Sequence, residues 1–364
     1  MDESGRNKYS VLTEYLKNEI LSGNIKPGER ILSENQMVGK FGVSRHTVRR
    51  ALEILEREGY VQAVHGKGTF CSDRLINKKD SKNIGVVTTY ISDYIFPRLI
   101  QGMDRVLSEN GYTIILKNTG NSRKKEAEAL DVLLAKEIDG LIIEPSKSQL
   151  LCSHPDLYER MEQNRIPYIF IQGCYEQMMD RPHIVMDDCE GAYMATHYLI
   201  ELGHRHIAGV FKADDVQGKE RHKGYVKALQ ETGFPYDPDM VVWFHTEDRK
   251  KKPAAMIGKK AEQKEGLDGV VCYNDQIAIQ VINALEERGI RVPEDISVTG
   301  YDNSLIGQEK NTGLTTIAHP QEKLGEMAAQ LLLEKIRNVP EEESRIPRLI
   351  EPELIIRNSC IQRT

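Results

Sequence analysis

Two groups of side chains in this sequence are able to do chemistry. The first is compact. In Gly42-Val-Ser-Arg-His-Thr-Val-Arg-Arg-Ala-Leu52, helical spacing puts Arg45, His46, Arg49 and Arg50 on one side, and Val48, Ala51, Leu52 and Leu55 on the other. A short helix with so basic a face can donate to base edges and phosphates in a major groove. The second group is scattered. Glu144, Gln172, Asp215, Gln217, Asn274 and Asp302 fall at the ends of apolar runs or in the loops that follow, with Arg221 among them, and Tyr90, Tyr94 and Phe96 follow the first such run. Carboxylates, amides and a guanidinium pair with hydroxyls, and rings stack on the apolar face of a sugar, so the set suits a small polyhydroxylated ligand. One of Trp243, Phe244 and His245 is also expected to face that ligand, and His245 is taken as the candidate.

Each candidate has a plainer reading. The basic face is equally a solvated surface. The plainer reading of Asp302 and Asn274 is a helix cap, and that of Arg221 a surface pair with Glu220 or Asp215, which would contribute little; for all three the ligand reading is preferred. Tyr90 and Phe96 are equally core residues. The run Asp248-Arg-Lys-Lys-Lys-Pro253 reads as a solvated loop, and His204 and His206 do not suggest a metal site.

The flanks of the basic helix decide its reading. Ser44 is placed to cap it, and Gly59 to stop it. Leu32–Phe41 reads as a shorter helix opened by a Ser33–Gln36 capping box and closed at Gly42, so a tight turn joins two helices. Val11, Leu12, Tyr15, Leu16 and Ile20 mark a helix before them. Tyr60–Val64, a Gly-rich tip His65–Gly68 and Thr69-Phe70 read as a two-stranded wing. Residues 8–71 resemble the N-terminal domain of GntR-family bacterial regulators in Ile25-Lys-Pro-Gly-Glu-Arg30, Ser33-Glu34, Phe41–Leu52, Glu58-Gly-Tyr60 and Gly66-Lys-Gly-Thr-Phe70. Leu32 departs from the Pro that many members carry there. The resemblance implies a winged helix-turn-helix that touches double-stranded operator DNA through Arg45, Thr47, Arg49, Gln62 and Gly66. Lys8, Ser33, Glu34, Ser44, His46 and His65 complete the DNA-facing candidates.

Residues 72–83 are polar and aperiodic, as a linker is. From Ile84 on, apolar runs alternate with amphipathic stretches, which predicts an α/β body of two parallel-sheet lobes with ligands at the carboxyl ends of the strands, between the lobes. Residues 84–364 resemble the LacI/GalR regulators and the periplasmic sugar-binding proteins in Glu201-Leu-Gly-His-Arg-His-Ile207, Tyr273-Asn-Asp-Gln-Ile-Ala278, Val292–Val298 with Gly300-Tyr-Asp-Asn303, and Leu314–Ile317. That resemblance implies a periplasmic-binding-protein-like fold, a hydroxyl clamp at Arg221 and a ligand-binding aspartate at Asp302. A GntR-type head on a LacI-type body is similar to bacterial arabinose repressors, which implies L-arabinose as effector and a homodimeric repressor released from its operator by the bound sugar. The residues alone reach no further than a small polyhydroxylated ligand. They leave open another sugar, activator or corepressor logic, and a solute-binding protein.

Charge agrees with a DNA-binding head. Of 49 Lys/Arg and 55 Asp/Glu, residues 1–80 hold 14 and 11, so the head is +3 and the remainder −9. The scattered cysteines 71, 152, 174, 189, 272 and 360 suit a reducing compartment rather than a zinc site. With no apolar leader and no membrane-length run, the expected location is cytoplasmic. No nucleophile–base pattern, phosphate-cradling Gly loop or metal cluster points to an enzyme, and no cofactor is expected.

Overall fold

The structure, a computed structural model, describes residues 8–21, 24–57, 59–64, 66–72, 81–91, 95–263, 266–305, 307, 313–340, 344 and 346–363. His65 and Tyr94 lie outside them. The chain forms two compact units, Met1–Ser81 and Lys82–Thr364. Among the described residues no helix is long and apolar enough to cross a membrane.

The first unit holds α1 (Lys8–Leu21), α2 (Glu34–Phe41), α3 (Arg45–Arg57) and an antiparallel hairpin of β1 (Val61–Val64) and β2 (Gly68–Cys71). Ser33 and Gln36 close the capping box that starts α2. Gly42 ends it at φ 61, where its N–H reaches the Val38 carbonyl, a left-handed turn that glycine makes without a Cβ penalty. The Ser44 hydroxyl then accepts the Thr47 N–H at 3.2 Å and starts α3. Leu12, Leu16, Met37, Val48, Ala51, Leu55 and Tyr60 form the core, so the basic side of α3 is left facing outward.

The second unit has two lobes. In the first, β3 (Asn83–Thr88), β4 (Thr113–Asn118), β5 (Gly140–Ile143), β6 (Tyr168–Ile171), β7 (His183–Met186) and β13 (Leu349–Ile350) form a parallel sheet in the order β13-β7-β6-β5-β3-β4. Helices α4 (Phe96–Glu109), α5 (Arg123–Leu134) and α6 (Pro155–Gln163) accompany it. In the second lobe, β8 (Ile207–Lys212), β9 (Val241–Phe244), β10 (Gly269–Cys272), β11 (Ser297–Asp302), β12 (Thr315–Ala318) and β14 (Glu353–Ile355) run in the order β14-β12-β11-β10-β8-β9. Here α7 (Asp188–Glu201), α8 (Val216–Glu231), α9 (Lys252–Glu262) and α10 (Asp275–Glu286) are interleaved. Strands β3, β5, β6, β8, β10, β11 and β12 are buried along almost their whole length, as strands covered on both faces must be, while β4, β13 and β14 at the sheet edges are partly exposed.

Edge strand β14 pairs antiparallel with β12, against the expectation of wholly parallel sheets. After β12 the chain crosses back: α11 (Gln321–Ile336) packs on α4 in the first lobe through Leu324, Ala328 and Leu332. It approaches so closely that a Cβ on Gly325 would lie 2.1 Å from the Leu99 carbonyl oxygen. The run Asp248–Pro253, expected to be a solvated loop, leads into α9, where Pro253 fills the first turn and is buried.

Candidate functional site

The carboxyl ends of strands from both lobes converge on one cleft of about 720 Å³, mouth included. The segment after β3 supplies Tyr90 and Phe96, whose rings meet edge to face at 5.8 Å. Glu144 follows β5 and Gln172 follows β6. From the second lobe come Asp215 and Gln217 after β8, Arg221 one turn further along α8, Asn274 after β10 and Asp302 at the end of β11. All of these were candidates from the sequence, and all line the one cleft.

His245 does not line it. Side chains alternate along β9, so Val242 and Phe244 point inward, and Phe244 reaches the cleft. His245 lies beyond the strand end, exposed, and its backbone N–H donates to Asp248. Asn274 fills both roles considered for it: its Oδ1 caps α10 by accepting the Ile277 N–H at 3.1 Å, while the residue lines the cleft. Arg221 does not pair with Glu220 or Asp215. Its Nε–H donates to Asp188 at 2.8 Å, an NH2 nitrogen lies 3.6 Å from Asp302, and its plane covers the Tyr301 ring at 3.5 Å.

Several lining residues escaped the sequence reading. Lys212 lies three residues before the candidate Asp215, and Tyr273 opens the Tyr273-Asn-Asp-Gln-Ile-Ala278 stretch, so both have a signal nearby. Arg249 had none, since it lay in the run read as solvated. Its guanidinium stands 4.6 Å over the Tyr90 ring and donates to the Tyr90 hydroxyl. Buried Asp188, which touches the cleft only through Arg221, had no signal either.

Charge in the cleft is closely matched. Burial lowers the Arg221 pKa, but Asp188 and Asp302 more than offset this and raise it, so it stays a cation. Lys212 follows the same pattern: burial lowers its pKa, yet Asp215 and Asp214 leave it raised, with Asp215 accepting from its ammonium. Burial pushes the Asp188 carboxyl up to about 6, with Arg221 pulling it back. Burial pushes Glu144 up to about 7, although the Thr89 N–H and hydroxyl both donate to it, at 2.7 and 2.8 Å. Gln217 Oε1 is buried with no hydrogen-bond partner among the described residues, an acceptor left for something in the cleft.

Two of the cleft residues hold left-handed backbone. Asp302 has φ 94 and Gln172 φ 66, left-handed values that non-glycine residues hold only when their surroundings impose them. Asp275 does so for the loop after Asp302. Its carboxylate takes the Ser304 N–H at 2.7 Å, the Ser304 hydroxyl at 2.9 Å and the Thr316 hydroxyl at 2.6 Å.

The first unit presents Lys8, Ser44, Arg45, His46, Arg49, Gln62 and Gly66 exposed, with Ser33, Glu34 and Thr47 half-buried. Arg49 reaches back to both oxygens of Glu34 on α2, each at 3.1 Å, which aims it from the outer side of α3. Arg50 turns instead over the Tyr9 ring at 4.6 Å. Ser33 and Ser44 spend their hydroxyls on capping.

Residues 8–71 match the bacterial regulatory proteins of the gntR family, and residues 196–360 match a periplasmic binding protein-like domain. An arabinose metabolism transcriptional repressor of Halalkalibacterium halodurans is 39% identical over 98% of this chain and 97% of its own length. One from Geobacillus stearothermophilus is 38% identical over 99% of both. Among solved structures, a LacI family transcriptional regulator from Enterococcus faecium with bound ribose superposes with a TM-score of 0.66 at 28% identity, covering 78% of this chain and all of that one.

Proposed function

From the premise that this chain belongs to the arabinose metabolism transcriptional repressors, regulators rather than enzymes, we propose that L-arabinose in the cleft releases it from operator DNA. In this reading α3 enters the major groove. Arg45, His46, Thr47 and Arg49 meet bases and phosphates there, with Gln62 and Gly66 on the wing and Lys8, Ser33, Glu34 and Ser44 at helix starts completing the DNA-facing set. A head of charge +3 binds tightly only as one of a pair, so the working form is a cytoplasmic homodimer on two half-sites.

In the cleft, Arg221, Asp302 and Asn274 bond one edge of the sugar, and Glu144, Gln172, Asp215 and Gln217 the other. Tyr90 and Phe96 cover its apolar face. The observation that carries this reading is a cleft lined from both lobes by paired charges and rings, with an unpartnered buried acceptor at Gln217. A ligand that needs both lobes binds their closed arrangement better, and this unequal affinity couples the cleft to the heads.

The test is thermal melting of the full chain against a panel of pentoses and hexoses, beside binding to promoter DNA of arabinose genes. L-arabinose at about 100 times its Kd adds ~2.7 kcal/mol of stability and should weaken DNA binding. A shift with a different sugar alone replaces the effector. Tighter DNA binding with sugar reverses the sign of the response.

A further inference from the structure

Away from the ligand-lining groups, the lobes are joined by two residues with left-handed backbone: Asn121, between β4 and α5, at φ 59, and Lys147, after β5, at φ 49. Asn121 is buried and uses its whole amide. Its Nδ2 donates across the cleft to Asp215 at 3.0 Å and to the Thr246 hydroxyl at 2.7 Å, while its Oδ1 accepts the Lys147 N–H at 2.7 Å. The Lys147 ammonium reaches Glu247 at 2.6 Å and Asp214 at 3.6 Å. The next residues continue the seam: Ser148 Oγ accepts the Val216 N–H at 3.0 Å, and the Gln149 N–H donates to the Asp214 carbonyl at 3.3 Å.

We propose that Asn121 and Lys147 form a closure joint, acting as positioning residues for the effector without touching it. The interlobe bonds of the seam break if the lobes part, so each adds to the closed arrangement alone. The Asn121 bridge also ends on Asp215, whose second oxygen holds Lys212, and Asp215 and Lys212 both line the cleft. The joint therefore fixes the direction of a ligand-facing carboxylate at the same time as it closes the lobes. The inference rests on the reading of the cleft as the effector site. A ligand's apparent affinity scales with the closed fraction, so loss of the Asn121 bridges should weaken it about tenfold.

Two readouts on the full chain test this, one of them independent of any ligand. In Asn121→Ala, without sugar, the Val216 and Gln149 amides should exchange hydrogen faster while β5 and β8 stay protected. In calorimetric titration its Kd for L-arabinose should rise about tenfold. Lys147→Gln, a change at the rim that spares the buried amide, should loosen the same amides less and make sugar affinity less sensitive to salt than in the wild type. Unchanged exchange and unchanged affinity in both variants overturn the joint. Faster exchange in the variants of a wild type that does not bind L-arabinose leaves the joint standing and removes the effector assignment.

Discussion

Arg221 and Asp188 form a buried ion pair, Nε to Oδ1 at 2.8 Å, between the second turn of α8 and the first residue of α7. Asp188 is also where the chain has just left the first lobe at the end of β7. The guanidinium that faces the cleft is thus anchored from behind at an interlobe crossing, with Asp302 in front of it and Tyr301 beneath. A ligand that takes the Asp302 side leaves the Asp188 anchor in place.

Removal of that anchor should be costly. Asp188→Ala strands a buried guanidinium beside a single, longer-range carboxylate. The expected loss is about 3 kcal/mol, because breaking one side of a buried pair leaves an uncompensated charge. Urea unfolding measures it as a lower midpoint with an unchanged slope. An unshifted midpoint would mean that Asp302 alone is enough for Arg221.

Glu144 sets a dependence on pH. Its carboxyl titrates near 7 in the folded chain against an ordinary 4.5, so the folded state binds the proton more tightly. Its stabilising effect is full below 4.5 and is lost as the pH rises to about 7. At about 1.4 kcal/mol for each pH unit, this is about 3 kcal/mol. Glu144→Gln keeps an acceptor for Thr89 and cannot ionise, so it should exceed the wild type in stability at pH 8 and match it at pH 4. Denaturation at the two pH values checks this, and equal differences at both would rule out a titrating Glu144.

The helix pair that carries the anchor admits no extra carbon at Gly224. A Cβ there would lie 2.0 Å from the Cys189 carbonyl oxygen on α7, a rigid backbone atom. Gly224→Ala should push α8 from α7, cost roughly 1–3 kcal/mol and weaken sugar binding by moving Arg221 away from Asp188. Melting temperature and sugar titration should fall together. A destabilised variant with wild-type sugar affinity would separate the packing from the site.

In the head, Arg49 is two-thirds exposed and its pairing with Glu34 contributes little to stability. Arg49→Ala should therefore leave melting unchanged. It should weaken operator binding and reduce the slope of log affinity against log salt by about one if Arg49 meets a phosphate. Glu34→Ala frees the same side chain and should weaken binding less. Both variants should keep the sugar-dependent melting shift, and loss of that shift would contradict independent roles for head and body.

Local chemistry was enough to read much of this protein from its sequence. Capping hydroxyls at Ser33 and Ser44, the left-handed stop at Gly42 and the one-sided apolar arc of α3 are decided within a few residues, so the helix-turn-helix was legible. Apolar runs ending in Asp302, Asn274, Glu144 and Gln172 were legible too, because a parallel sheet places the ends of its strands together. What tertiary structure alone decided is which distant groups meet. Asp188 holds Arg221 across two packed helices, Arg249 folds from a charged run onto Tyr90, and the parity of β9 turns Phe244 rather than His245 inward. The seating of α11 on α4 belongs here as well: a buried charge or an apolar helix face requires a partner, and nothing in the local sequence says which one it finds.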